Sequence, residues 1–325
     1  MNHLTRAPLR AAALGAAICL SAGTAFAQAY PNHPIRMIAP YEPGGGVDIM
    51  ARLVAQHLGK EIGQSVAVEN RPGAGGVVGT QALVSAAPDG YTLELASTSP
   101  IVISPYIVKN LSYNPLKDLA PVSLIANVPA LLLVLPASSF KTIPELIAQA
   151  KAQPGKLTFS SSGIGGTAHL AAQLLKTMGG INLLHVPYKG TGPATTAVMA
   201  GEVSMTFTDV IAGTKYAQSG QLRAVAVTSP KRVPILPEVP AVAETLPGYT
   251  AGVWYAVFAP AKTPPAIIAA LNKALVKASK NDIAQTLNAQ GVQPIGSSPG
   301  ELTAFIKEES QRWGKVIKES GMKPE

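Results

Sequence analysis

Ser162, His169 and Asp209 are the residue types of a hydrolase triad: nucleophile, base and orienting acid. The run Ser160-Ser161-Ser162-Gly163 lacks the Gly-x-Ser-x-Gly elbow that lifts such a serine clear of its sheet. The plainer reading makes these serines helix caps and hydrogen-bond donors, and a secreted serine hydrolase is carried only as the alternative function. His33, His57, His169 and His185 are scattered without ligand spacing, so no metal is expected. Lys189-Gly190-Thr191 has the wrong order for a phosphate loop, and Gly163-Ile164-Gly165-Gly166 misses the dinucleotide spacing. No cofactor and no enzymatic activity are expected.

What remains is chemistry of binding. Gly44-Gly45-Gly46 and Gly163 to Gly166 each follow an apolar run and precede a helical pattern. A helix start leaves backbone N–H groups without intrahelical partners, and glycine lets a ligand lie directly on them. The N-terminus carries about half a positive charge, worth roughly 0.3–1 kcal/mol with an anion. Neither turn contains Arg or Lys, so carboxylate capture by backbone, the hydroxyls of Ser161, Ser162 and Thr167, and water is the consistent mechanism. The bland alternative is that each turn only tightens a strand-to-helix connection. Asp48 and Asp209 either cap their helices or hold a hydroxyl or ammonium group of the ligand. His169 either packs or touches the ligand. Tyr41 and Trp254 would form apolar walls, with core packing the equal alternative for Trp254. Pro43, Ser97 and Tyr188 complete the candidate ligand-binding set.

The elements that must position these residues alternate. Apolar runs near 35–39, 65–69, 91–96, 122–125, 131–135, 157–160, 183–187, 205–208, 222–228 and 253–259 read as strands. The glycine turn at 44–46 opens a helix whose apolar stripe is Ile49, Leu53, Val54 and Leu58. Residues 141–152 form a helix with Thr142 as N-cap, Pro144 in its first turn and Glu145 as capping acid. Three helical patterns finish the chain, over 265–280, 282–289 and 299–319. Alternation predicts an α/β fold of mostly parallel sheets with ligands at strand C-termini. The expected architecture is two doubly wound domains with a ligand cleft between them, joined by crossover strands around 127–129 and 247–255. Domain 1 combines 28–127 with 251–325, and domain 2 is 128–250.

Arg6 and Arg10, an apolar stretch over 11–20 and Ala25-Phe26-Ala27 read as an export signal cleaved after Ala27. Cleavage leaves 325 − 27 = 298 residues with formal charge 24 − 18 = +6 and no cysteine, because Cys19 lies inside the signal. Thiol chemistry and disulfides are thereby excluded. The basic residues are dispersed and not interleaved with aromatics, which argues against nucleic acid.

Several stretches together resemble a known family. They are Pro40-Tyr41-Glu42-Pro43-Gly44-Gly45-Gly46-Val47-Asp48, Glu69-Asn70-Arg71-Pro72-Gly73-Ala74-Gly75-Gly76, residues 159–169, His185-Val186-Pro187-Tyr188-Lys189-Gly190, and Trp254 with Ala259-Pro260-Ala261-Lys262-Thr263-Pro264. In order and spacing the chain resembles the extracytoplasmic receptors of the tripartite tricarboxylate transporter family, also called Bug-type solute-binding proteins. The resemblance implies a type II periplasmic-binding-protein-like fold that closes on a small di- or aromatic carboxylate. It implies ligand contact from the loop of 41–48 and the loop of 161–169, with Asp209 lining the same cleft. It also implies a periplasmic monomer that passes its ligand to membrane transporter subunits or a sensor kinase. Glu42 and Pro43 stand where many relatives carry small or apolar residues.

Overall fold

The computed structural model describes residues 30–188 and 190–319. The export segment with its boundary at Ala27, and Lys189, lie outside the described residues.

β1 (Ile35–Ala39) lies between β2 (Val66–Asn70) and β3 (Thr92–Ser97), parallel to both. α1 (Gly46–Ile62) returns from β1 to β2. Its buried face is Val47, Met50, Ala51, Val54 and Leu58, and Ile49, expected on the stripe, is 60% exposed. The 3.6-residue period explains this: Val54 and Leu58 align with 47, 50 and 51, while Ile49 falls outside that arc.

α2 (Val77–Val84) precedes β3, and the short helices α3 (Ser104–Ile107) and α4 (Pro115–Asp118) follow it. The chain then enters β4 (Leu119–Val134), one continuous strand where two had been expected on either side of Pro129. From Leu119 to Pro129 it pairs antiparallel with β9 (Gly252–Pro260), and from Ala130 to Val134 with β7 (Met205–Asp209) and β8 (Arg223–Val227). Proline cannot donate to a ladder, and here it sits where the partners change. The next N–H, of Ala130, goes to the Thr228 hydroxyl at 2.7 Å. Opposite Pro129, a Cβ on Gly252 would lie 2.5 Å from the Val128 carbonyl oxygen, so only glycine lets the crossing strands come this close.

α5 (Ile143–Ala152) is capped as its sequence demands: Thr142 Oγ1 accepts the Glu145 N–H, and the Glu145 carboxylate accepts the Lys141 N–H at 2.6 Å. β5 (Thr158–Ser161), α6 (Thr167–Gly179), β6 (Leu184–Pro187), α7 (Thr191–Met199), β7 and α8 (Val210–Gln218) then alternate. The strand order is β2-β1-β3-β9-β4-β7-β5-β6, with β8 also on β4.

The mostly parallel sheets expected from alternation are instead mixed. β1–β2, β1–β3, β5–β6 and β5–β7 are parallel, whereas β3–β9, β4–β7, β4–β8 and β4–β9 are antiparallel. The two long strands β4 and β9 run antiparallel to each other in the middle of the strand order. α9 (Pro265–Lys280), α10 (Asp282–Ala289) and α11 (Pro299–Glu319) close the fold, with α9 packed on α1 and β4, and α11 on β4 and α6. No described helix is long and apolar enough to cross a membrane.

Candidate functional site

The first glycine turn is held by its own acid. Gly44 takes φ +83°, and its N–H donates to Asp48 Oδ2 at 2.9 Å. Asn70 Nδ2 donates to Asp48 Oδ1 at 2.9 Å, and Arg52 pairs with the same carboxylate. The Arg52 hydrogen bond, then those from Gly44 and Asn70, overcome the cost of burial and hold the Asp48 carboxyl at about 2. Asp48 is thus buried beneath the turn and fixes its shape. The N-cap of α1 is Gly45, which offers no side-chain acceptor to the first helical N–H groups.

The second turn repeats the device with different parts. α6 starts at a Gly166 N-cap, again without a side-chain acceptor. α7 starts at a Gly190 N-cap of the same kind. α8 differs, because Asp209 caps it by accepting the Ala212 N–H at 2.9 Å. Three helix starts therefore keep free first-turn donors, and a fourth is neutralised by its own carboxylate.

These starts converge on a cavity of about 390 Å³. Seven of the fifteen predicted residues line it: Tyr41, Gly46, Ser97, Ser161, Ser162, Thr167 and Asp209. Pro43, Gly44, Gly45, Asp48, Gly163, His169, Tyr188 and Trp254 do not. Gly44, Gly45, Gly163 and Asp48 build the turns. His169 is buried behind the second turn, where Gly165 N–H donates to its Nδ1 at 3.1 Å. Tyr188 belongs to a separate surface hollow, with its hydroxyl 3.4 Å from Glu202. Trp254 is 1% exposed and meets Phe305 edge-on at 5.6 Å, so the core alternative holds. Of these two neighbours, it is Tyr255 that lines the cavity. Strand alternation gives one of these two to the core and the other to the cleft, and the sequence does not say which.

Thr98, Ser99, Thr191, Thr206 and Thr208 also line the cavity and were missed as site residues. Each is a small hydroxyl within or just after a strand or at a helix start, a position too common to single out in a sequence. Gly75 completes the Tyr41 wall: the Tyr41 hydroxyl donates to its carbonyl at 2.8 Å and accepts from Ser97 Oγ at 3.2 Å.

Among the described residues, the lining includes no Lys or Arg, and Asp209 is its one carboxylate. Burial, then the Asp209 charge, pushes the Tyr255 phenol well above its ordinary value, and burial raises Tyr41 as well. Both remain neutral hydroxyl groups at physiological pH. Neither His169 ring nitrogen bonds Ser162 or Asp209: Nδ1 takes Gly165 N–H and Nε2 lies 3.2 Å from the Gln173 carboxamide. The triad reading therefore has no base in contact with its nucleophile. No group of three or more His, Cys, Asp or Glu among the described residues could hold a metal ion.

A family profile described as the tripartite tricarboxylate transporter family receptor matches residues 50–322. Protein BugT of Bordetella pertussis is 40% identical over 300 residues, 91% of this chain and 92% of its own. Among solved structures, R. palustris Rpa4515 with adipate superposes with a TM-score of 0.82 at 32% identity, covering 91% of this chain and all of that one. MatC from Rhodopseudomonas palustris with bound malate gives 0.76 at 30% identity, covering 89% and 100%. The fold is that of the periplasmic solute-binding proteins, which bind and release without chemistry. With the match running through nearly the whole chain, and a cleft of donors in place of a catalytic centre, the protein belongs to the tripartite tricarboxylate transporter family receptors.

Proposed function

We propose that the cavity captures a small organic carboxylate and that the chain delivers it to a tripartite tricarboxylate-type transporter. One observation carries the reading: the uncapped helix starts of α1, α6 and α7 all meet a cavity that, among the described residues, is lined by no cationic side chain. An anion there takes its hydrogen bonds from backbone N–H groups and from the hydroxyls of Ser161, Ser162 and Thr167. The helix dipoles supply the positive potential. The adipate and malate in the two similar structures support this ligand class. Asp209 at the far wall favours a ligand that also carries a hydroxyl or other donor.

In the same proposal, 28–127 with 251–325 and 128–250 are two lobes that bend about the β4–β9 crossing. A ligand bridging the α1 and α6 starts would favour the closed arrangement. The test is thermal unfolding with a panel of mono-, di- and aromatic carboxylates. A ligand at about 100 times its Kd adds roughly 2.7 kcal/mol of stability. Gly46→Val should abolish that gain, since even a Cβ there lies 2.8 Å from the Tyr255 hydroxyl oxygen. A panel that leaves the melting temperature unmoved sinks the proposal.

A further inference from the structure

Two histidines stand behind the second turn without reaching the cavity. Phe159, His185 and His169 form a ladder of nearly parallel rings, with centroids 4.8 Å and 4.3 Å apart and tilts of 16° and 17°. Each imidazole grips one end of the loop over 161–166. His185 Nε2 is 2.6 Å from Ser161 Oγ, the same oxygen that accepts the Gly163 N–H at 3.1 Å. His169 Nδ1 accepts the Gly165 N–H at 3.1 Å.

That second contact dictates a protonation state. An Nδ1 that accepts from an amide must carry a lone pair, so His169 is the neutral Nε2–H tautomer. The atom at 3.2 Å from Nε2 is the Gln173 amide nitrogen; amide nitrogen and oxygen are told apart by the network, and with Nε2–H on the ring the carboxamide turns over so that its oxygen accepts. A proton on Nδ1 would set donor against donor and break the hold on Gly165. The surroundings oppose such a proton. Burial first, then His185 and Lys176, lower His169 to about 4, and burial and Lys176 lower His185. The Tyr249 hydroxyl donates to the Ala171 carbonyl of α6 at 2.8 Å, and the elements packed on α6 carry Asp209 (β7), Tyr255 (β9) and the Glu309–Arg312 pair (α11).

We infer that His169 and His185 are positioning residues of the cleft: His169, as a neutral imidazole accepting from Gly165, and His185, through Ser161, hold the 161–166 loop in the shape that turns the α6 start toward the cavity. The inference rests on the reading of that loop as one jaw of the carboxylate site. It makes the jaw proton-sensitive although neither ring touches a ligand.

Amide hydrogen exchange and imidazole 15N shifts on the ligand-free mature chain test it. Asparagine places Oδ1 where histidine has Nδ1, so His169→Asn should keep the Gly165 amide protected. His169→Phe keeps the ring stack but loses the acceptor, and protection there should fall roughly tenfold, the worth of one hydrogen bond. In the wild type, protection corrected for intrinsic exchange should drop as pH falls through about 4, while His169→Asn stays flat. The ring shifts should show His169 in the Nε2–H tautomer at pH 7, a readout that needs no variant to fold. Equal protection in His169→Phe and wild type, or an Nδ1–H tautomer at pH 7, overturns the inference. No ligand enters these measurements, so the clamp can stand where the carboxylate reading fails, and the reverse.

Discussion

Glu94 lies on β3 with its side chain fully enclosed, and the Thr80 hydroxyl donates to Oε1 at 2.7 Å while Oε2 has no partner. Burial raises its carboxyl from 4.5 to about 8, outweighing the Thr80 hydrogen bond. The folded protein therefore holds a proton between pH 4.5 and 8 that the unfolded chain has released. Stability is full below 4.5 and falls as pH rises through 8, by 3.5 pH units in all, or about 5 kcal/mol. His169 acts with the opposite sign. Its imidazole is lowered from 6.5 to about 4, so its contribution is full above 6.5 and is lost as pH falls toward 4. Between 4.5 and 6.5 the two slopes oppose. From 6.5 to 8 Glu94 stands alone, and 1.5 pH units should remove about 2 kcal/mol from the wild type. Glu94→Gln keeps the shape and cannot ionise. It should unfold within about 1 kcal/mol of wild type at pH 5, keep its stability from 6.5 to 8, and expose the acid-side loss caused by His169. Denaturant unfolding at half-unit pH steps measures all three. Wild-type stability flat from 6.5 to 8, or a variant with the same downward slope, would show that Glu94 is not held as the acid. The group also matters to the cleft, because its charge acts on Tyr41, a wall of the cavity. Ligand affinity should therefore weaken above pH 8 in the wild type and not in Glu94→Gln.

Asp48→Ala removes the acceptor for Gly44 N–H, Asn70 and Arg52 together, and should cost about 2–3 kcal/mol at pH 7. Because the Asp48 carboxyl is depressed from 3.8 to about 2, its contribution is present above 3.8 and lost as pH falls through 2. The gap between variant and wild type in denaturant melts should narrow over that range. Trp254→Phe leaves a small void but also deletes an indole N–H that is buried without a partner. It should cost less than about 2 kcal/mol, against roughly 3–5 for truncation to alanine, and leave the carboxylate-induced thermal shift unchanged. Loss of that shift would mean that Trp254, not Tyr255, faces the ligand.

The elements were legible wherever local signals agreed. Thr142 and Glu145 announce α5 by the chemistry of its cap, and the apolar periods fix the helix of 265–280 to the residue and the last long helix at its start, residue 299. Pairing was not legible, because period and turn residues say nothing about which strand lies beside which. Pro129 looked like a strand break by its missing N–H. In the fold that loss coincides with a change of partner, and the Thr228 hydroxyl takes the next amide 98 residues away. Long-range exchange of that kind has no signature in neighbouring residues. The Ile49 error is of another sort: several apolar positions fit two helical phases, and only the packed sheet selects one.

For the site, the sequence located the turns, and the side chains that line the cavity around them were less legible. Glycine triplets mark where backbone must be exposed, and that constraint is local. Which residues around a turn face outward depends on how the turn is braced, and the braces here come from elsewhere. Asn70 reaches Asp48 from β2, and His185 reaches Ser161 from β6. Asp48 and His169, for which the sequence left both a structural role and ligand contact open, each bond a backbone N–H of their own turn. That follows from the task. A pocket that offers N–H groups to an anion must keep those groups uncapped and fixed in direction, so something behind them has to do the fixing. Strong acceptors such as a carboxylate at Asp48 and an imidazole lone pair at His169 do so from the side away from the cavity. Placed on the cavity side, either would compete with the ligand for the same donors.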